Sequence, residues 1–300
     1  MITIPPYLQR GNTICITCPA GYMPKQKADA CIATLQEWGF EVMVGKTVGS
    51  SSKNYFSGND EERANELQAM LDDKNIHAIL FGRGGYGMSR IIDRLDFKKF
   101  KKNPKWLIGF SDITILHSHV LNNYHIATIH APMAGAFNQK NIYIEQLHKV
   151  VVGKKINYKC ASHKNNQLGT SNGVLIGGNL TLLANAIGTA SDFNTKGKLL
   201  FIEDIGEYLY SIDRLLTQLK RAGKLKNLSG LIVGGFTDMK DTERPYGKKI
   251  QDIIKEIVQE YNFPICFDFP ISHDKENLAV KIGVTYELKV TKNNTYLKEL

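Results

Sequence analysis

The chain lacks any apolar run approaching 18 residues, so no membrane-crossing helix and no membrane partner are expected. Its first residues, MITIPPYLQRGN, lack a basic segment followed by an apolar core and a small-residue cleavage site. No secretory leader is therefore expected, and the cytoplasm is the expected compartment. Cysteine is scarce and odd in number: Cys15, Cys18, Cys31, Cys160 and Cys266. Cys15 and Cys18 are spaced C-x-x-C, but no second pair completes a four-cysteine zinc site, so reduced thiols are expected. Acidic residues are fewer than basic ones, 29 against 38, leaving a formal charge of +9. That excess raises the question of nucleic acid. No zinc-finger or RNP-type motif is present, however, and most lysines are scattered. The densest basic run, Lys98 to Lys105, falls between a helix-like and a strand-like stretch and reads as a solvated surface, so no nucleic-acid partner is expected. Internal repeats are absent too.

What remains is ordinary globular material. Three hundred residues, 43% hydrophobic and 22% charged, exclude a collagen-like, low-complexity or wholly disordered chain. They suit one large domain or two medium ones. Between Asn12 and about Pro132, strand-like and helix-like stretches alternate. Thr13 to Thr17, Glu41 to Val44, His77 to Phe81, Trp106 to Phe110 and Ile126 to Ile129 read as strands. Ala28, Cys31, Ile32, Leu35 and Trp38 recur at helical spacing, with Gly39 placed to stop the helix. Asn59 is placed to N-cap a helix whose first turn is acidic and whose buried stripe is Ala64, Leu67 and Leu71. Near-continuous apolar strands separated by amphipathic helices predict an open, doubly wound parallel sheet of the Rossmann or flavodoxin-like kind over residues 1–152. Residues 153–172 are polar and read as a linker with at most one short strand. Residues 173–300 read as a smaller α/β domain with some antiparallel strands. Its helices are expected at Asn179–Ile187, Ile212–Ala222 and Gly247–Tyr261. Its strands are expected at Lys198–Ile202, Leu228–Gly234, Ile265–Phe269 and near Lys281–Val290.

In doubly wound sheets ligands bind beyond the carboxyl ends of the strands, which directs attention to four segments. Phe81-Gly82-Arg83-Gly84-Gly85-Tyr86-Gly87 follows a strand, and its glycines allow backbone amides to approach a phosphate, a carboxylate or an oxyanion. It is out of place for a dinucleotide fingerprint, and a plain tight turn is the alternative. Gly109-Phe110-Ser111-Asp112 sets a serine at a strand-to-helix corner, where the amide of Asp112 can face an oxyanion. Only the first glycine of G-x-S-x-G is present, and Ser111 as a plain N-cap is the competing reading. Leu199 to Ile202 runs into Glu203, Asp204 and Glu207, acids able to orient a histidine, bind a metal or cap the next helix. Pro270-Ile271-Ser272-His273-Asp274 places His273 in a loop, the best situated of the histidines for proton transfer. His117 and His119 lie on different faces of one helix and make poor joint metal ligands, and His130 reads as structural.

Together with Cys18-Pro19-Ala20-Gly21 and Gly177-Gly178-Asn179-Leu180, these segments resemble the LD-carboxypeptidase family of serine peptidases over nearly the whole chain and in order. The family includes muropeptide LD-carboxypeptidases and microcin C7 self-immunity hydrolases. The resemblance implies a Ser–Glu–His triad with Ser111 as nucleophile, His273 as general base and Glu203 as the orienting acid, Glu207 being the alternative acid. It implies oxyanion donors at the backbone amides of Gly85 and Asp112, with Arg83, Gly84 and Tyr86 beside the substrate. Arg83 and the free amides of the glycine-rich segment compete for the substrate's terminal carboxylate. The implied substrate is a murein tetrapeptide cut before its terminal D-alanine in cell-wall recycling, by a homodimer needing no cofactor or metal. Two positions depart from the family pattern: Ser272 precedes the histidine where glycine is frequent, and Lys281 stands where proline is frequent.

Overall fold

The computed structural model describes residues 1–137 and 141–300. The chain forms two compact units, one of residues 1–154 with 278–281, the other of residues 155–277 with 282–300.

The first unit alternates as expected: β1 (Thr13–Thr17), α1 (Asp29–Glu37), β2 (Glu41–Val44), α2 (Asp60–Asp72), β3 (Ile76–Phe81), α3 (Met88–Ile91), α4 (Lys98–Lys102), β4 (Trp106–Gly109), α5 (Thr114–Tyr124), β5 (Thr128–His130) and α6 (Ile142–Val151). Strands β1 to β5 pair in parallel in the order β5-β4-β3-β1-β2. Burial follows position in the sheet. All four residues of β4 are buried, whereas the edge strand β2 leaves Met43 and Val44 exposed. This is the pattern of a parallel sheet covered on both faces. The order reverses between β1 and β3, so the loops leaving those two strands face each other across the switch point. There Gly21 N donates to Gly84 O at 3.0 Å. Helix α2 starts as its sequence demands. Asn59 accepts from Glu62 N at 2.9 Å while Glu62 accepts from Asn59 N at 2.8 Å, a complete capping box. The basic run Lys98–Lys102 is itself the short helix α4, with Phe100 buried beneath exposed lysines.

The second unit contains β6 (Asn157–Ala161), β7 (Gly169–Asn179), α7 (Leu180–Ala186), β8 (Lys198–Ile205), α8 (Leu209–Arg221), β9 (Gly230–Thr237), α9 (Ile250–Val258) and β10 (Ile265–Cys266). After it, β11 (Val280–Ile282) joins the first sheet beside β5, and β12 (Thr285–Val290) and β13 (Asn294–Glu299) complete the second. That sheet runs β10-β9-β8-β7-β12-β13-β6, parallel from β10 to β7 and antiparallel beyond.

Several expectations change. The expected linker 153–172 instead contributes β6 and the start of β7. Strand β6 is an edge strand that buries Tyr158 between exposed Asn157 and Lys159, so its polarity reflects one solvated face. Residues 278–281 return to the first unit rather than staying with the C-terminal one. The expected strand Ile265–Phe269 pairs only through Cys266, and Asp268 sits at φ 54° just beyond. Strand β13 was not expected. Its signal was the tight connection at Lys292-Asn293, which Thr291 N closes on Asn294 O at 3.0 Å.

Candidate active site

The strand-to-helix corner of the first unit is strained at one residue. Phe110 is extended, and Ser111 then turns to φ 62°, a left-handed conformation uncommon for a residue with a side chain. Such a backbone costs about 1–3 kcal/mol and persists where its surroundings enforce it. The N-cap reading fails: Ser111 opens a 3₁₀ turn, and the cap positions of that turn and of α5 belong to Phe110 and Ile113. The glycine-rich loop packs directly on the serine. A Cβ on Gly84 would stand 2.9 Å from Ser111 Cβ and 3.1 Å from its Oγ, so only glycine fits. Gly85 adopts φ 96°, open to glycine and strained for other residues. Arg83 is exposed, and its guanidinium donates to Tyr22 O at 2.8 Å. Tyr86 is exposed beside Phe56, their rings 5.9 Å apart.

Asp112 contributes more than a backbone amide. Its fully buried carboxylate accepts from Met88 N at 2.8 Å, tying the exit of the glycine-rich loop to the corner. Burial pushes this carboxyl up to about 6, against the lowering effect of the Met88 and Gly87 amides and of Arg63. Tyr55 was also passed over in the sequence. Its hydroxyl lies 2.6 Å from where a Gly85 Cβ would stand, at an exposed position. His117 is buried with Nε2 on Gly109 O at 2.9 Å, and burial depresses it to about 4, a structural role. His130 is buried in β5 against the Phe110 ring.

In the second unit, the two residues expected to act as acid and base are joined. Glu203, fully buried within β8, places Oε2 at 2.5 Å from His273 Nδ1. Burial raises the Glu203 pKa, and the histidine opposes that shift. The histidine loop is laid across β9 by its backbone: Phe269 N donates to Val233 O at 3.0 Å and Gly235 N to Ile271 O at 2.9 Å. A Cβ on Gly234 would meet Ile271 O at 2.2 Å, and one on Gly235 would meet Ser272 Cβ at 2.4 Å. This glycine pair inside β9 was the sequence signal for the crossing. Ser272 then stitches the loop, donating to Glu276 O at 2.8 Å and accepting from Asp274 N at 3.0 Å. Lys281, the other departure, is buried on β11 and donates to the Tyr7 hydroxyl at 2.9 Å.

The neighbouring acids have other partners. Asp204 accepts from Asn179 Nδ2, Thr181 N and Thr181 Oγ1 at 2.8 to 2.9 Å, securing the start of α7. Glu207 accepts from Ser211 Oγ at 2.9 Å near the start of α8. Among the described residues, no cluster of three or more His, Cys, Asp or Glu side chains could hold a metal ion, and no helix is long and apolar enough to cross a membrane. A cleft of about 1430 Å³ lies along β2 and α2, and neither Ser111 nor the glycine-rich loop lines it.

The family description "LD-carboxypeptidase N-terminal domain" matches residues 14–131, and "LD-carboxypeptidase C-terminal domain" matches residues 172–288. A probable murein peptide carboxypeptidase of Bacillus subtilis is 33% identical over 292 residues, covering 93% of this chain and 89% of its own. The crystal structure of muramoyltetrapeptide carboxypeptidase from Oxalobacter formigenes is similar with a TM-score of 0.86 at 26% identity, covering 96% and 98% of the two chains. The microcin C7 self-immunity protein MccF of Escherichia coli is 26% identical over 323 residues, covering 94% and 91%.

Proposed function

From the premise that the chain belongs to the LD-carboxypeptidase family of peptidases, we propose that it is a serine carboxypeptidase removing the terminal D-alanine of murein tetrapeptides. The observation that carries the reading is the buried Glu203–His273 pair, a carboxylate fixed on one imidazole nitrogen. The left-handed Ser111 against Gly84 supports it.

In this mechanism Glu203 holds the Nδ1 proton of His273, which leaves Nε2 unprotonated and ready to accept. His273 takes the proton of Ser111, whose Oγ attacks the carbonyl carbon before D-alanine. The tetrahedral oxyanion is held by the amides of Gly85 and Asp112, each worth about 3–4 kcal/mol if essential. Collapse breaks the C–N bond, His273 returns its proton to the departing amine, and D-alanine leaves. Water, activated by the same histidine, hydrolyses the acyl-enzyme and restores Ser111. Arg83 or the loop amides bind the terminal carboxylate, with Gly84 and Tyr86 beside the peptide. The chemistry uses only protein groups. A cytoplasmic homodimer working in cell-wall recycling belongs to the same proposal.

The test is release of D-alanine from anhydro-muropeptide or UDP-linked tetrapeptide. The wild-type chain should release it, and a folded Ser111→Ala variant should not. Full activity in that variant refutes the nucleophile. The match to MccF motivates a second reading, hydrolysis of an aminoacyl-nucleotide analogue. Competition between tetrapeptide and aminoacyl-sulfamoyl adenosine separates the two. A nucleotide- or peptide-binding module without catalysis predicts no covalent adduct at Ser111 with a serine-directed probe.

A further inference from the structure

Helix α2 buries a charge where its stripe of Ala64, Leu67 and Leu71 calls for an apolar residue. Arg63 is fully buried. A guanidinium keeps its charge and carries five donors in a rigid planar fork, so it enters an interior only where partners fit that fork. Here Nε donates to Gly58 O at 3.2 Å, and Nη1 to Pro19 O at 2.5 Å and Gly87 O at 3.3 Å. Nη2 pairs with the Asp60 carboxylate, and the Phe56 ring centroid lies 4.8 Å from Cζ. Arg90 grips the same carboxylate, with Nη2 at 2.7 Å.

Two of those three carbonyls belong to the loops that flank the switch point. Pro19 lies in the turn after β1, and Gly87 is the last residue of the glycine-rich loop. The two loops are bonded to each other through Gly21 N and Gly84 O, and Gly84 packs on Ser111. The loop exit is thus held on two sides, by Arg63 at Gly87 O and by Asp112 at Met88 N. Between Gly84, bonded to Gly21, and the held Gly87 lies Gly85, whose amide makes none of the loop and turn backbone hydrogen bonds found among the described residues.

We propose that Arg63 is a positioning residue for catalysis, holding the exit of the glycine-rich loop so that the Gly85 amide stays aimed at the oxyanion formed on Ser111. The inference rests on the serine-peptidase reading. An apolar residue could anchor α2 without desolvating a charge. What the guanidinium adds is a simultaneous hold on two loop carbonyls, which a single apolar side chain cannot supply.

The test uses the full-length chain and compares wild type with Arg63→Lys, Arg63→Ala and Gly87→Ala. A Cβ on Gly87 would press on Ala20 Cα at 2.8 Å and on Arg63 Nη1 at 2.9 Å, forcing the loop exit and the guanidinium apart while keeping the arginine in the chain. Melting temperature and circular dichroism establish folding. D-alanine release gives kcat and KM, and a fluorophosphonate probe reports modification of Ser111. Expected for folded Arg63→Lys and Gly87→Ala is a kcat lower on the order of 10²-fold, with KM within about 3-fold. In folded Arg63→Ala, methylguanidinium below denaturing concentrations should restore at least about 10-fold of the lost kcat, since it resupplies the donors. Folded Lys and Gly87 variants with kcat within about 3-fold of wild type overturn the role of Arg63 alone. So does a folded Arg63→Ala variant whose loss methylguanidinium leaves unchanged. If Arg63→Ala does not fold, the other two variants decide. A wild-type chain that neither releases D-alanine nor labels at Ser111 instead overturns the reading on which the inference rests.

Discussion

Replacing Glu203 by glutamine keeps the size of a side chain that is fully buried, but changes what it offers His273. The carboxylate oxygen 2.5 Å from Nδ1 accepts a hydrogen bond from the N–H there, which leaves Nε2 free as a base. Glutamine can present its amide N–H instead, and the imidazole then carries its proton on Nε2, where it cannot accept one from Ser111. Loss of the correct tautomer in a triad costs on the order of 10⁴-fold in kcat, about 5.4 kcal/mol of transition-state stabilisation. Stability should change far less. The charge-assisted hydrogen bond is lost, about 1.5–3 kcal/mol, but a buried carboxylate no longer has to be desolvated. The net should stay within about 2 kcal/mol, a melting shift below about 8 °C. Glu207→Gln is the control, because that side chain bonds Ser211 near the start of α8. Its kcat should remain within about 3-fold of wild type. D-alanine release, with melting curves alongside, reads both variants. A larger kcat loss at Glu207, or wild-type kcat in Glu203→Gln, refutes the reasoning.

Three further outcomes follow from the first unit. Ser111→Gly should melt higher than Ser111→Ala by about 1 kcal/mol, because glycine adopts φ 62° without the side-chain penalty, while both variants lose activity; equal melting temperatures would show that the corner stores no strain. Gly84→Ala sets a methyl 2.9 Å from Ser111 Cβ and should lower kcat by about 10²-fold, with overpacking costing about 1–3 kcal/mol; a wild-type rate would remove the loop from the site. Asp112 binds its proton more tightly folded than unfolded, since burial raises it to about 6. Its contribution to stability is therefore greatest below about pH 4 and declines as pH rises through 6, by about 3 kcal/mol in all. Asp112→Asn removes that titration and should gain on wild type across the same range in melting curves; a constant gap between them would contradict it.

The central strands and the capped helices were readable because their signals are local. Each of β1, β3 and β4 is a short apolar run, and Asn59 with Glu62 makes a capping box from residues three apart. Strand β6 was legible only as a possible short strand within an expected linker, since an edge strand takes its stability from a pairing partner that lies far away in sequence. Asp204 and Glu207 look as chemical as Glu203 along the chain. Only their hydrogen-bond partners sort them, Asn179 and Thr181 for one, Ser211 for the other. Arg63 left no trace of its burial, because two of the carbonyls it holds, those of Pro19 and Gly87, lie 44 and 24 residues away.

By itself the amino-acid sequence determined the alternation of β and α elements, the glycines at the strand ends and the presence of a serine, a histidine and acids beside them. These depend on residue type and short spacing, which one dimension records. Tertiary structure alone decided that Ser111 turns left-handed, that Glu203 rather than its neighbours holds His273, and that a guanidinium on α2 grips the glycine-rich loop. Each of those outcomes is set by which groups lose water together, and that is a property of the packed chain.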